Sequence, residues 1–471
     1  MGSLEKVIDA DACVGCGGCS VATGGAIPIT LTPYGTYLPE LDGVAPEVEE
    51  VGALACPFAD TTPDEDELGA ALYPQADSDP RIGRFTGLYV ARIEDDETVV
   101  GSSSGGLTTW IVAQWLRDGV IDGVIHAGPG DDLLFMYVVS TTADELYGRR
   151  KSRYHAVEFS QAVSQIRGDG KKYAFVGVPC MVKSVRHICQ GDEVLAGQIV
   201  RTVGLVCGHM KSAAYGESMA WQLGVSPTEV ETVDFRVKNP GMLSRQYSFG
   251  ALGPGGWKTA QTASLVGGNW GHAVFQLGAC NYCDDIFAEG ADVAVGDAWL
   301  PRFEGDWRGT NVIVTRRTDV DEMFAAGSTN GELWVESVSA DAVAHTQAGN
   351  FRHRRQGLAV RLHDDDSAGR WRPRKRVEAS VDGPDRRRIE LIRRRRELSH
   401  VSHDLFLEAK RAGDLSRYLT RVRPYLDRLD RLGKPSLLSR VTLRLQREFW
   451  RSMAWLRERT RHVRHREIQG K

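Results

Sequence analysis

Nine cysteines lie in this chain of 471 residues, and their spacing is that of metal ligands rather than of disulfides. Cys13, Cys16 and Cys19 follow one another at intervals of three, and a distant Cys56-Pro57 supplies a fourth thiolate. That is the ligand set of one [4Fe–4S] cluster, each thiolate taking one corner. In a two-cluster ferredoxin the first run would end Cys-x3-Cys-Pro, but Thr23 and Gly24 stand there. Counting back from Cys56 by the same rule puts Pro46, Glu49 and Gly52 at the other missing ligand positions. The expectation is a two-cluster ferredoxin fold that keeps one cluster. A zinc knuckle is the alternative, although zinc sites usually pair two C-x2-C units. A second set comprises Cys180, Cys207, Cys280 and Cys283. Cys180 and Cys207 each end an apolar run, so a parallel sheet would carry both to one edge, beside the Cys280/Cys283 pair. Four such thiolates suit either a second cluster or zinc. Cys189 fits neither pattern and reads as a spectator.

These ligands need a frame. From Phe85 to about Ala298, apolar runs alternate with amphipathic stretches, which predicts an α/β core. The runs are Gly123–Gly128, Tyr173–Pro179, Ile199–Cys207 and Ala291–Asp297. The stretch Gly105–Gly119 begins with small residues, runs apolar at Leu107, Ile111, Trp115 and Leu116, and stops at glycine, as a helix should. The fold expected is an α/β core with an N-terminal ferredoxin-like α+β iron–sulfur module (residues 1–80), the core itself (81–370) and a C-terminal basic helical extension (371–471).

Charge divides the chain in the same way. The net charge of -4 conceals a balance of -14 in residues 1–80, with a single lysine, and of +16 in residues 371–471. Leu438, Val441, Leu445, Phe449, Met453 and Leu456 form an apolar stripe on the last basic segment, with Trp450 and Trp455 nearby. An anionic membrane surface or an acidic protein partner would suit such a tail, and a helical hairpin with a solvated basic face is the plainer reading. Arg386–Arg396 comes nearest to low complexity. No base-reading or stacking motif accompanies the charge, which disfavours nucleic acid. Without a secretory signal or a long apolar run, the expected location is the cytoplasm, with membrane association through the tail left open.

The segments "GSSSGGLTT", "KSRY", "FVGVPC", "GLVCGH", "FRVKNPG", "CNYCDD" and "ADVAVGDAW" occur in this order. Over roughly Arg84 to Val314 the chain resembles the coenzyme F420 hydrogenase/dehydrogenase beta-subunit family, whose members include the F420-reducing hydrogenase beta subunit and 7-hydroxymethyl chlorophyll a reductase. The resemblance implies FAD beside a [4Fe–4S] cluster on Cys180, Cys207, Cys280 and Cys283, hence two [4Fe–4S] clusters with the N-terminal one. It also implies electron exchange between coenzyme F420 and ferredoxin or another redox subunit. Rival readings are a ferredoxin-dependent reductase of an organic substrate and a non-catalytic electron-wiring or glycan-cluster accessory subunit.

In the light of that resemblance, Ser103, Ser104, Gly105, Gly106 and Thr108 precede a helix where backbone N–H groups would meet a pyrophosphate, or they form an ordinary capped helix start. Lys151 and Arg153 are candidate phosphate ligands and Tyr154 a ring to stack on a cofactor. Arg236 and Lys238 are candidates for an anionic deazaflavin tail. Asp297 either contacts the cofactor or caps the next turn, and His209 reads as a satisfied core histidine.

Overall fold

A computed structural model describes residues 2–130 and 133–434. Each apolar run becomes a strand. Gly123–Gly128, Tyr173–Gly177, Ile199–Leu205 and Val293–Asp297 pair in parallel in that spatial order. They are rich in Val and Ile and mostly buried along their length, because helices cover both faces of a parallel sheet. Antiparallel strands extend the sheet at both edges. Met136–Ser140 closes one side; Asn311–Thr315, Gly87–Ile93 and Leu333–Ser337 close the other, giving eight strands in all. The helix Leu107–Arg117 starts and stops where expected, with Gly106 in the left-handed region at φ 85° before it. A separate three-stranded sheet, Thr232–Val237, Ser248–Gly253 and Gly256–Gln261, carries the "FRVKNPG" segment.

The first 60 residues build a small module from the helices Ser3–Asp9, Gly18–Ala22 and Pro46–Ala53 with one two-stranded hairpin, Ile29–Leu31 and Tyr37–Pro39. Its own core is Leu4, Cys19, Ile27 and Ala53. The extension is more ordered than its composition suggests: Arg386–Arg396 opens a helix that runs to Ala412. That helix buries Leu391, Ile392, Leu398, Leu405, Phe406 and Ala409. Much of the basic charge is consumed inside the chain, as in Arg393–Asp364 (2.7 Å) and Arg396–Asp365 (2.9 Å). A cut at residue 371, the boundary expected from sequence, would therefore expose a packed face. The chain up to Arg423 forms one compact unit, and Pro424, inside the helix Leu415–Gly433, begins another. The apolar stripe Leu438–Leu456, with Trp450 and Trp455, lies outside the described residues. Among the described residues no helix is long and apolar enough to cross a membrane.

A buried ionic network joins the three parts. Glu65 of the acidic head meets Lys183 of the core at 3.1 Å, and Lys375 of the extension meets Asp284 of the core at 3.0 Å. Arg376 grips Glu289 through two bonds of 2.8 and 2.9 Å and also reaches Asp66 and Asp284. Burial opposes ionisation of Glu65, but Lys183, Lys375 and Arg376 outweigh it and hold its carboxyl well below the ordinary 4.5. The depressed value means that this contribution is complete above the unfolded-state value and is lost as pH falls through the folded one. Stability is therefore expected to decline on acidification below about pH 4.5, and Glu65→Gln should make that decline shallower by removing Glu65's share, while Asp284 and Asp306, also held low, keep theirs. Arg376→Ala should cost about 3–5 kcal/mol, since it strands buried carboxylates. Denaturant titration of the two variants checks both expectations.

Candidate functional site

Glycines shape the loop that carries the first three cysteines. Gly15 and Gly17 sit at φ 67° and 86°, and a Cβ at Gly15 would lie 2.3 Å from the Tyr37 carbonyl. The loop thereby turns Cys13, Cys16 and Cys19 into one apolar cavity with Cys56, walled by Val14, Ile29, Pro39 and Phe58. Burial pushes the Cys56 thiol up to about 12 and raises Cys13, Cys16 and Cys19 as well. The positions that lack second-cluster ligands are used for packing and capping. Thr23 Oγ1 donates to the Cys19 carbonyl (2.8 Å), and Glu49 accepts from the Leu4 amide (2.9 Å). Pro46 opens a helix, and a Cβ at Gly52 would meet Ile27, Cys19 and Leu4.

The second set converges at the carboxyl ends of the parallel strands. Cys180 is the second residue of the helix Pro179–Gly191, Cys207 follows the strand Ile199–Leu205, and Cys280 sits in a short 3₁₀ turn just before Cys283. Cys180 lies within electrostatic reach of Cys207, Cys280 and Cys283. The Met210 amide donates to Cys280 Sγ at 3.2 Å. Burial raises all four thiols, Cys207 to about 12 and Cys283 to about 11. Cys189, on the same helix as Cys180, lies beside Arg186 and Asp192. Among the described residues no three His, Cys, Asp or Glu side chains close to single-ion distance.

Cations crowd these thiols, and Asp285, the carboxyl beside Arg354, is itself pushed up to about 7 by burial and by Glu289, so it balances them only in part. Arg354 is 1% exposed, donates to the Asp285 carbonyl (2.9 Å) and leaves its Nε without a partner. Arg361 donates only to the Asn281 and His353 carbonyls. Lys211, fully buried, donates to the Val274 carbonyl and faces the rings of Trp270 (4.7 Å) and Tyr215 (5.1 Å). Burial pushes Lys211 down to about 7. Buried cations without counter-ions are costly. An anionic cluster on these four thiolates is the group that such a setting fits.

The two sets are neighbours. Cys16 Sγ lies 3.6 Å from Ser184 Oγ, one turn beyond Cys180 on the helix Pro179–Gly191.

Beside the core cysteines lies a cavity of about 280 Å³. Ser103, Ser104, Gly106, Thr108, Lys151, Arg153, Tyr154 and Arg236 line it, as do Asp297 and Cys207. Gly105 and Lys238 are not in the wall. Lys238 Nζ donates to the Val99, Ser104 and Arg308 carbonyls and so fixes the serine loop from behind. Gly105 is pressed against Asn311, where a Cβ would come within 2.7 Å of Oδ1. Arg236 is already held by Asp297 at 2.7 Å. Lys151 pairs with Asp234 (3.1 Å), whereas Arg153 bonds only to the Arg149 and Arg150 carbonyls. Tyr154 stands 4.8 Å from the Trp270 ring. His209 departs from the satisfied core histidine expected. It stacks on Trp270 at 4.3 Å in the cavity wall, and its buried Nε2 has no partner. Lys211 and Trp270 line the cavity too, and neither was a sequence candidate. The proximity of "GHMK" to Cys207 was the available signal.

The family described as "Coenzyme F420 hydrogenase/dehydrogenase, beta subunit" matches this chain in two parts. Its N-terminal part covers residues 88–164 and its C-terminal part residues 170–341, together just over half of the chain. The chain belongs to this family. The coenzyme F420 hydrogenase subunit beta of Methanothermobacter thermautotrophicus is 25% identical over 257 residues, covering 52% of this chain and 81% of that protein. The subunit of the same name from Methanosarcina barkeri is 31% identical over 137 residues, 27% of this chain and 46% of its own length. A solved chain from the F420-reducing [NiFe] hydrogenase complex of Methanosarcina barkeri, derivatised with xenon, is 21% identical, with a TM-score of 0.46, covering 60% of this chain and 94% of that one.

Every cavity-lining residue and all four core cysteines of this family member fall within the matched segments, whereas Cys13 to Cys56, Arg354 and the extension fall outside them. Gly105→Val should shift the start of the helix Leu107–Arg117, because Asn311 and the Ala91 carbonyl cannot retreat far. We expect a loss of about 1–3 kcal/mol, measured by denaturant unfolding. Lys238→Met, which frees the serine loop without filling space, should lower occupancy of the cavity more than it lowers stability.

Proposed function

We propose that this protein is an iron–sulfur flavoprotein that moves electrons between coenzyme F420 and a redox partner. FAD would sit in the cavity, and one [4Fe–4S] cluster would sit on each cysteine set. Three structural units are proposed: a ferredoxin-like head (1–80), the family core (81–370) and the basic extension (371–471). One observation carries the reading: Cys207 belongs at once to the cavity wall and to the core cysteine set, whose Cys180 helix in turn touches Cys16 of the head. Cavity, core set and N-terminal set thus form one unbroken series. A flavin exchanges a hydride and releases electrons singly, and an iron–sulfur cluster passes one electron at a time, so together they join two-electron and one-electron donors.

The chain's own residues would do the positioning. The amides at the start of the helix Leu107–Arg117, with Arg153 opposite, would receive a pyrophosphate. Tyr154 and Trp270, already in contact with each other, would together offer one aromatic wall to a ring. Lys211, pushed down to about 7 by burial, would gain its full positive charge beside an anionic group. His209 Nε2 and His155 Nδ1 are imidazole nitrogens of the cavity wall without a partner among the described residues. Cys56→Ser should remove one cluster and leave the flavin.

Anaerobic reconstitution tests the reading: about eight iron atoms per chain, two full four-cysteine sets, should accompany a flavin spectrum. Cys56→Ser should bind about half that iron. Rapid reduction or oxidation of F420 then completes the assignment. Iron and flavin with no F420 turnover, but ferredoxin-driven reduction of an organic substrate, would overturn it in favour of that rival.

A further inference from the structure

We propose that the redox partner docks on the exposed face of the helix Pro46–Ala53, beside the N-terminal cysteine set, and that this partner presents a basic face. The inference rests on the proposed function insofar as the head carries a redox centre.

Nine large apolar side chains are markedly exposed among the described residues, and Leu54, at 59%, is the most exposed of them. Val51, at 45%, precedes it by three residues and therefore shares its face. Glu47 and Glu50 are exposed at the same helical spacing. Cys56 follows two residues after Leu54, its amide bonded to the Ala53 carbonyl, so the apolar pair lies directly beside a cluster ligand. A surface apolar pair next to a redox ligand is where a partner gains both contact area and a short route for electrons.

Charge selects the partner. The head has 15 acidic residues in its first 80 and one lysine, and two sets of four among them differ in their surroundings. Glu65, Asp66, Glu67 and Asp79 are neutralised within the chain by Lys183, Arg376, Arg374 and Arg81. Glu47 and Glu50 on the helix that carries the Leu54 face, with Glu40 and Asp42 on the segment leading into it, are exposed and have no ion-pair partner among the described residues. An apolar anchor rimmed by unpaired carboxylates steers basic surfaces toward it and repels acidic ones. An acidic ferredoxin, the partner first expected, is therefore the wrong sign for this face.

Two probes of opposite charge test the proposal with the full-length protein: cytochrome c, a small basic haem protein, and an acidic [2Fe–2S] ferredoxin. Calorimetric binding should find cytochrome c bound at low salt, with affinity falling as salt rises, and ferredoxin bound more weakly. The double variant E47Q/E50Q should weaken cytochrome c binding about three- to tenfold, the effect of two rim charges. Leu54→Ser should weaken it at every salt concentration. A control, D144N/E322Q, removes equal charge from two core helices and should change nothing. Unchanged binding in E47Q/E50Q, equal weakening in the control, or tighter ferredoxin binding at low salt would each overturn the proposal. Binding does not depend on iron, so a failure of the proposed function, read from iron and flavin content, is separately visible.

Discussion

The fold depends on a buried cluster of opposite charges in which three separately encoded segments meet. Glu65 from the head, Lys183, Asp284 and Glu289 from the core, and Lys375 and Arg376 from the extension share one interior. None of the three groups is tolerable there alone, because a buried charge without its partner costs several kcal/mol. Each segment therefore needs the other two. This network abuts Cys283 through Asp284 and sits on the helix of Cys180 through Lys183, so the ionic joint that holds head to core also sets the spacing of the two cysteine sets. Burying charge gives little net stability, but it gives register. A one-turn slip of the helix Pro179–Gly191 would separate Lys183 from Glu65 and carry Ser184 away from Cys16.

Much of the frame was legible because it follows local rules. Apolar runs of Val and Ile bounded by glycine became parallel strands, and the glycine-flanked amphipathic stretch became the helix Leu107–Arg117. The convergence of Cys180 and Cys207 followed from one fact of topology: neighbouring parallel strands end on the same edge. At the positions where a two-cluster ferredoxin would carry further ligands, only the structure reveals that Thr23 and Glu49 are capping groups and Gly52 a packing surface.

What local rules missed are residues whose environment is built by distant chain. His209 is two residues beyond Cys207, yet its unpaired nitrogen is made significant by Trp270, some sixty residues later. Lys238 looked like an anion ligand because a lysine in a cofactor-bearing segment usually is one. Its ammonium instead satisfies three backbone carbonyls that a turn-rich loop leaves unbonded, and no periodicity encodes that demand. The extension was half legible for the opposite reason. Charge counts are blind to where the opposing carboxylates lie, and Asp364, Asp365, Glu289 and Asp66 take up part of its positive charge within the chain.

The same balance of charge, applied to the core cysteines, couples the proposed metal chemistry to folding. Arg354, Arg361 and Lys211 are buried beside four thiols that burial holds protonated, and Asp285, pushed up to about 7, offsets the positive charge there only in part. Removing the thiol protons supplies the missing negative charge, but isolated thiolates would be as costly as isolated cations. A metal cluster that takes the thiolates while leaving a net negative unit satisfies both sides at once, and its binding free energy then enters the folding free energy. Arg354, which lies beyond the matched family segments, is the charged group that acts most strongly on Cys207, Cys280 and Cys283. A buried cation near a cluster favours the reduced, more negative state. The head's cysteines, walled by Val14, Ile29, Pro39 and Phe58, have one charge of each sign close by, Glu158 near Cys16 and Lys183 near Cys56. Arg354 is thus the charge by which the two settings differ, and its removal would act on the core set alone.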